Sequence, residues 1–517
     1  MTYEQIKLFL PSASSRVNDE IRCRVEAPLF AGIVERLMKE GGLPLSSLYA
    51  TDDRATDKSF GIHVILSLDE ERLWMTLSTS VSGNDPTYPS LTRSVMAAHW
   101  YERYAQDMFG IVPEGHPDPR RLVHHENIPV GTHPLRKDFR WDTKLDHAQV
   151  PYPLHHVEGE GIYEIPVGPI HAGIIEPGHF RFNVAGERII TLEGKLFFTH
   201  KGVEKLLEGK TPLEALPFIE RLSGDMAASH ALAFCQAIEK ISETVVPPRA
   251  KAIRTALCEL ERITMHLHDL ANITGMGTGY TLMAANGFRI KERLVRLSQT
   301  LLGNRFWRGA IVPGGVSRDW TSGECALIKT TATEAVKEMQ DLVKMALQSD
   351  GLRERLETTG ILTREAAVAY GAVGLPARAS GVARDVRLSH PYAAYAQLPW
   401  EIVTAEEGDV YARYRCRVEE LEISLRVLLA AVDLHAGEPV VTRVSLKDGW
   451  GVAAVESWRG EILTAVHLKN GKIERCFPRD PSFCNWPLFG EIGPGNIVPD
   501  FPLCNKSLNL SYSGTDM

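Results

Sequence analysis

Two short segments carry the side chains that bear most directly on chemistry. They are Arg221-Leu222-Ser223-Gly224-Asp225-Met226, with His230 four residues on, and Asp480-Pro481-Ser482-Phe483-Cys484-Asn485. Asp225 and His230 can exchange protons. Ser223 and Met226 offer no anionic ligand, because a serine hydroxyl does not ionise near neutral pH and a thioether is uncharged. Glu176, His171 and His179 lie about Pro177-Gly178, and Arg378, Asp385 and Arg387 lie further along. Carboxylates, imidazoles and guanidinium groups gathered in a partly buried cavity can relay protons, since burial and neighbouring charge move their pKa values. The same residue types can instead form a salt-bridged core that holds a helix bundle together.

Other candidates are weaker. Eight cysteines are scattered without CxxC pairs and read as free thiols; Cys476, Cys484 and Cys504 lie near one another without ligand spacing and read as apolar fillers. His116, His124, His125 and His133 fit no metal-ligand spacing. Gly275-Met276-Gly277-Thr278-Gly279 follows a helical pattern rather than a strand, so it reads as a helix stop and flexible turn, not a dinucleotide fingerprint. No Walker-type loop occurs, so no direct NAD site is expected.

The periodicity predicts an α+β protein. Residues 1–140 read as a small α/β domain. Ile62, Val64, Leu66 and Leu68, then Leu73, Met75 and Leu77, alternate as in a hairpin, and a helical stretch follows around Leu91–Phe109. His116–Pro134 reads as an extended arm, and residues 141–159 as a linker. Residues 160–517 form the second domain. It opens with a β-rich stretch at Tyr163–Phe197, and small sheets are expected to flank a central helix bundle. A helix of about seven turns is expected between Pro247-Pro248 and Gly275, and another along Tyr411, Tyr414, Val418, Leu421, Leu425, Leu428 and Val432. Glu419 and Glu420 beside Arg413 and Arg417 read as a solvated or subunit-facing surface. Thr442–Leu446 and Gly451–Lys472 read as strands, and Pro481–Met517 as an irregular tail.

Longer motifs then carry a resemblance. Glu102 to Ile111, Gly115-His116-Pro117-Asp118-Pro119-Arg120-Arg121-Leu122 and His133-Pro134-Leu135-Arg136-Lys137-Asp138 resemble the small peripheral-arm subunit of respiratory complex I, over most of residues 25–140. From 160 to about 517, Gly168-Pro169-Ile170-His171, Arg364 to Gly374 and Arg378-Ala379-Ser380-Gly381 come first. Asp385, Arg387, Pro391 and Tyr392, then Gly408 to Tyr414, and Glu456 with Arg459-Gly460-Glu461 follow. Together they resemble the large subunit shared by complex I and membrane-bound nickel–iron hydrogenases. The fusion is similar to the large subunits of formate hydrogenlyase and hydrogenase-4-type complexes.

The resemblance implies a structural first domain that holds no cofactor and an arm that docks on the second domain. It places Ser223, Met226, Ser482 and Asn485 where a hydrogenase carries its four cysteine ligands, so no cofactor is expected on this chain. The residues running on past the second ligand segment imply that no nickel-dependent trimming takes place. The quinone-gripping His and Tyr of complex I align with Ile175 and Gly224, so both are absent, whereas Glu176 matches the proton-carrying glutamate of hydrogenases. Glu176, His171, His179, Asp225, His230, Arg378, Asp385 and Arg387 are then expected to converge where the hydrogenase centre would lie.

Composition bounds the rest. A formal charge of −8 argues against nucleic-acid binding. The start lacks the features of a signal peptide, and no apolar run is long enough to span a bilayer. The expectation is a cytoplasmic chain held at the inner face of the plasma membrane through its partners. Those implied are an iron–sulfur small subunit that carries the cluster, antiporter-like integral-membrane subunits and a quinone-site-anchor-like subunit. Three readings stay open: a subunit of an ion-translocating oxidoreductase complex; a hydrogenase, formate hydrogenlyase or NADH-quinone oxidoreductase subunit in the strict sense; and a non-catalytic coupling scaffold.

Overall fold

The computed structural model describes residues 3–7, 9–10, 14–171 and 175–517. Alternating apolar residues give Ser59–Leu68 and Leu73–Ser82, the antiparallel centre of a five-stranded sheet completed by Ser14–Val17, Glu20–Arg24 and Leu45–Asp52. Glu20–Arg24 pairs in parallel with Leu73–Ser82. The helix near residue 100 is shorter than the pattern suggested: it runs His99–Phe109 behind a 3-10 turn at Met96–Ala98 and stops at Gly110 in the left-handed region. Residues 116–159 form no helix or strand.

The remainder is built on long helices: Ala227–Ile241, Pro248–Ala271, Thr281–Leu302, Ser322–Ala346 and Val410–Val432. Proline in the first turn starts Pro248–Ala271. The glycine-rich segment after it is not a stop. The helix passes into a π turn over Asn272–Met276, and left-handed Gly279 interrupts it instead. One three-stranded antiparallel sheet is Ile162–Val167, His179–Ala185 and Arg188–Lys195; another is Gly449–Glu456, Glu461–Lys469 and Lys472–Arg479. A Cβ on Gly451 would lie 2.5 Å from the Ala237 carbonyl oxygen, so glycine lets the strand and Ala227–Ile241 meet closely. Residues 442–446 form no strand; their neighbour Val441 makes an isolated bridge to Gly315.

The segment expected to be an irregular tail is instead helical and buried. Pro481–Asn485, Phe489–Ile492, Phe501–Leu508 and Tyr512–Asp516 are short helices, three of them with proline or a capping Asp or Ser at the start. They are too short to show a helical period and are held by packing, with Leu503, Leu508 and Tyr512 in the core.

The arm lies against residues 195–208. Lys195 Nζ is 2.7 Å from Glu126, Lys137 Nζ is 2.9 Å from Glu208, and His125 Nε2 is 2.8 Å from the Leu196 carbonyl oxygen. The first sheet is fastened as well. Arg479 and Arg475 donate to the Ser46 and Ala50 carbonyls, and the Trp74 ring stacks on His390 with centroids 3.8 Å apart. Cleavage within residues 141–159 by a protease is therefore expected to leave two fragments that co-elute on size exclusion. Release of residues 1–140 as a free species would contradict this packing.

Candidate functional site

Ser511 organises the site. Its backbone N–H donates to Ser482 Oγ at 2.9 Å, and its hydroxyl lies 2.9 Å from Ser223 Oγ. Two of the four positions matched to hydrogenase ligands are thus brought together on one residue of the final helical segment. Ser223 Oγ is also 2.9 Å from the Asp225 carboxylate, which takes two bonds from Arg459, at 2.6 and 2.8 Å. Burial alone would raise the Asp225 carboxyl, but Arg459 and Ser223 hold it below the ordinary carboxylate range. Asn485 is occupied by both backbone groups of Val373, and Met226 is fully buried in the apolar core.

His230 lies beneath this layer. Its Nε2 is 3.0 Å from Asp480 Oδ2, and both side chains are fully buried. Burial works against the Asp480 charge, yet His230 and Arg459 keep its pKa low. Asp480 also caps the helix Pro481–Asn485 through the Ser482 N–H.

Glu176 sits at the outer edge. It is exposed, and its Oε2 accepts the Ser513 N–H at 2.7 Å. His171 Nε2 lies 3.3 Å from the neighbouring Tyr512 hydroxyl, and burial lowers its pKa. His179 turns to the Gly168 carbonyl and is likewise lowered by burial. Ala172–Ile174, within the motif that precedes Glu176, lie outside the described residues. Ile175 is partly exposed, and a side chain begun at Gly224 would approach Arg308.

The eight expected residues do not form one cluster. Arg378, Asp385 and Arg387 belong to a second, deeper group. Arg378 meets Glu456 at 2.7 Å, Asp385 at 3.4 Å and Glu420, while Arg387 grips Asp385 with two bonds, at 3.0 and 2.7 Å. This also corrects the reading of the charged helix face. Glu420, Arg413 and Arg417 are buried, because Arg378, the Gly360 carbonyl and Asp269 supply partners from distant segments and the Gly408 carbonyl one from just before the helix; Glu419 alone of the four is exposed.

The residues that the sequence did not mark are Ser511, Ser513, Tyr512 and Arg459. The first three fell in a stretch with no visible period. Arg459 stood in a quoted motif, but nothing local linked it to Asp225.

A nickel–iron centre does not fit this donor set. No thiol stands at the four positions, and the Ser223, Ser482 and Asn485 side chains are spent on hydrogen bonds within the protein. Among the described residues no group of three or more His, Cys, Asp or Glu side chains could hold a metal ion. Cys476 and Cys504 are buried, and half-buried Cys484 pairs with the Tyr101 hydroxyl at 3.2 Å.

Residues 24–144 match the model of the respiratory-chain NADH dehydrogenase 30 Kd subunit, and residues 277–448 match that of the 49 Kd subunit. The chain is 32% identical to formate hydrogenlyase subunit 5 of Escherichia coli (strain K12) over 518 residues, covering 97% of this chain and 90% of that protein. It therefore belongs to the family of large subunits common to complex I and the related hydrogenases, in the form that fuses the 30 Kd and 49 Kd parts. Within that family it is also 32% identical to hydrogenase-4 component G of Escherichia coli (strain K12), over 96% of this chain and 88% of that protein. It is 27% identical to the NADH-quinone oxidoreductase C/D protein of Hydrogenobaculum sp. (strain Y04AAS1), over 96% of each. No helix among the described residues is long and apolar enough to cross a membrane.

Proposed function

We propose that this chain is the large peripheral subunit of a membrane-associated, energy-converting oxidoreductase complex, and that it carries no nickel–iron centre. An iron–sulfur partner supplies electrons, and integral-membrane partners, antiporter-like and quinone-site-anchor-like, move protons or other ions. The chain works at the inner face of the membrane and couples the two. One observation carries this reading: a chain similar along nearly its whole length to formate hydrogenlyase subunit 5 has three of its four matched ligand positions bound to Ser511 and Val373 instead, and the fourth, Met226, buried in the apolar core. Glu176, Asp225, His171 and the His230–Asp480 pair then remain as the titratable groups at the site.

The test is the purified complex. Elemental analysis is expected to find nickel far below one atom per chain, while the complex reconstituted in vesicles couples redox turnover to ion movement. Stoichiometric nickel that disappears in Cys484→Ser would establish a hydrogenase in the strict sense. The occupied side chains at Ser223 and Ser482 also favour a coupling scaffold without its own chemistry. Assembly with no redox turnover under any donor and acceptor pair would select that reading.

A further inference from the structure

Four carboxylates, Glu259, Asp385, Glu420 and Glu456, meet three guanidinium groups, Arg262, Arg378 and Arg387, in the interior of the helical body. None of the seven side chains is more than 3% exposed. Fully ionised, the set would carry one negative charge too many. An uncompensated charge out of reach of water is costly enough that the group takes up a proton instead. His266, 2.9 Å from Glu420, could supply the missing positive charge, but burial lowers its pKa, and its Nδ1 is buried without a partner. The other titratable neighbours, Cys258, Cys416, Tyr392 and Tyr395, are all held neutral by burial. Arg417 is taken by Asp269 at 2.8 Å.

We propose that this cluster holds one exchangeable proton, resident on Glu456, so that the chain contains a proton store separate from the Glu176 site. The contacts identify the holder. Asp385 has two bonds from Arg387, a contact with Arg378 and the Arg387 backbone N–H. Glu420 has Arg378 and His266. Glu259 lies near Arg262 and Arg387, at 3.3 and 3.6 Å, and accepts from the Tyr395 hydroxyl. Glu456 has only a share of Arg378, which also serves two other carboxylates, and the Val386 N–H at 3.2 Å. Glu259 Oε2 lacks a hydrogen bond but faces two guanidinium groups, whereas the single cation at Glu456 is divided among three carboxylates and no second side chain donates to it. Burial and the Asp385 charge raise the Glu456 pKa to about 7, so the proton is exchangeable near neutral pH. Its release to solvent water breaks the Glu456 O–H bond and leaves a carboxylate beside Arg378.

Infrared difference spectra of the purified complex, recorded across a pH titration in H2O and D2O, test this directly. A protonated-carboxyl band should vanish as pH rises through neutrality, shift in D2O, and be missing in Glu456→Gln. Stability gives a second readout. A folded-state pKa above the unfolded value contributes stability below the ordinary carboxylate range that is lost as pH rises through the folded value. Wild type should therefore melt lower at about pH 8 than at about pH 6 relative to Glu456→Gln, whose neutral amide lacks this dependence. Glu420→Gln, which removes an ionised partner of Arg378, should melt lower at both. A Glu456→Gln variant as unstable as Glu420→Gln at about pH 6 would overturn the proposal, as would an imidazolium signal from His266 in place of the carboxyl band.

Discussion

Arg378→Met is expected to cost the folded chain about 3–5 kcal/mol, among the largest effects of any single substitution. The guanidinium is fully buried and is shared by Asp385, Glu420 and Glu456. Methionine fills much of the volume but leaves those carboxylates facing one another in a medium that does not solvate them. Neighbouring Arg387 is already engaged with Asp385 and cannot turn to Glu420. The loss should shrink at low pH. With the cation gone, the buried carboxyls have folded-state pKa values above their unfolded ones, so the variant is most stable below the ordinary carboxylate range and weakens as pH rises. Arg378→Lys keeps the charge but not the planar fork, and should fall between the two. Thermal and denaturant melts across pH measure all of this. A variant that melts like wild type but loses turnover would instead place Arg378 in the chemistry.

That network shows what a single sequence can and cannot display. Long elements were legible because their apolar residues repeat: the hairpin of Ser59–Leu68 with Leu73–Ser82, and the helices Pro248–Ala271 and Val410–Val432. The charged face of the last helix misled, since Arg417 and Glu420 look solvated until Asp269 and Arg378 are brought to them by tertiary folding. The final helices were invisible for a different reason. At four to eight residues each, they lack the turns needed for a 3.6-residue period and owe their shape to burial. The candidate site was half legible in consequence. Ser223, Asp225, His230 and Ser482 stood out, but Ser511, which joins two of them, did not.

Glu176→Gln should lower coupled turnover by about 100-fold or more while the complex still assembles. Glu176 matches, by resemblance, the glutamate that carries protons in hydrogenases. It is exposed, so it can exchange protons with water, yet its Oε2 is fixed by the Ser513 N–H at 2.7 Å. Ser513 is itself held, its hydroxyl donating to the Leu222 carbonyl at 2.9 Å and its carbonyl receiving Lys201 at 2.6 Å. The carboxylate is thus anchored two residues from Ser511, on the segment that reaches Ser223 and, through it, Asp225. Glutamine can still accept the Ser513 N–H through its amide oxygen, so the local fold should persist. Only the titratable group is removed. A purely structural carboxylate would behave differently, with Gln nearly silent in turnover and Glu176→Ala lowering the melting temperature as Ser513 loses its partner. Measuring turnover, vesicle acidification and melting for both variants separates the cases. Full proton movement in Glu176→Gln would remove this residue from the path and leave Asp225, held ionised by Arg459, as the group next in line.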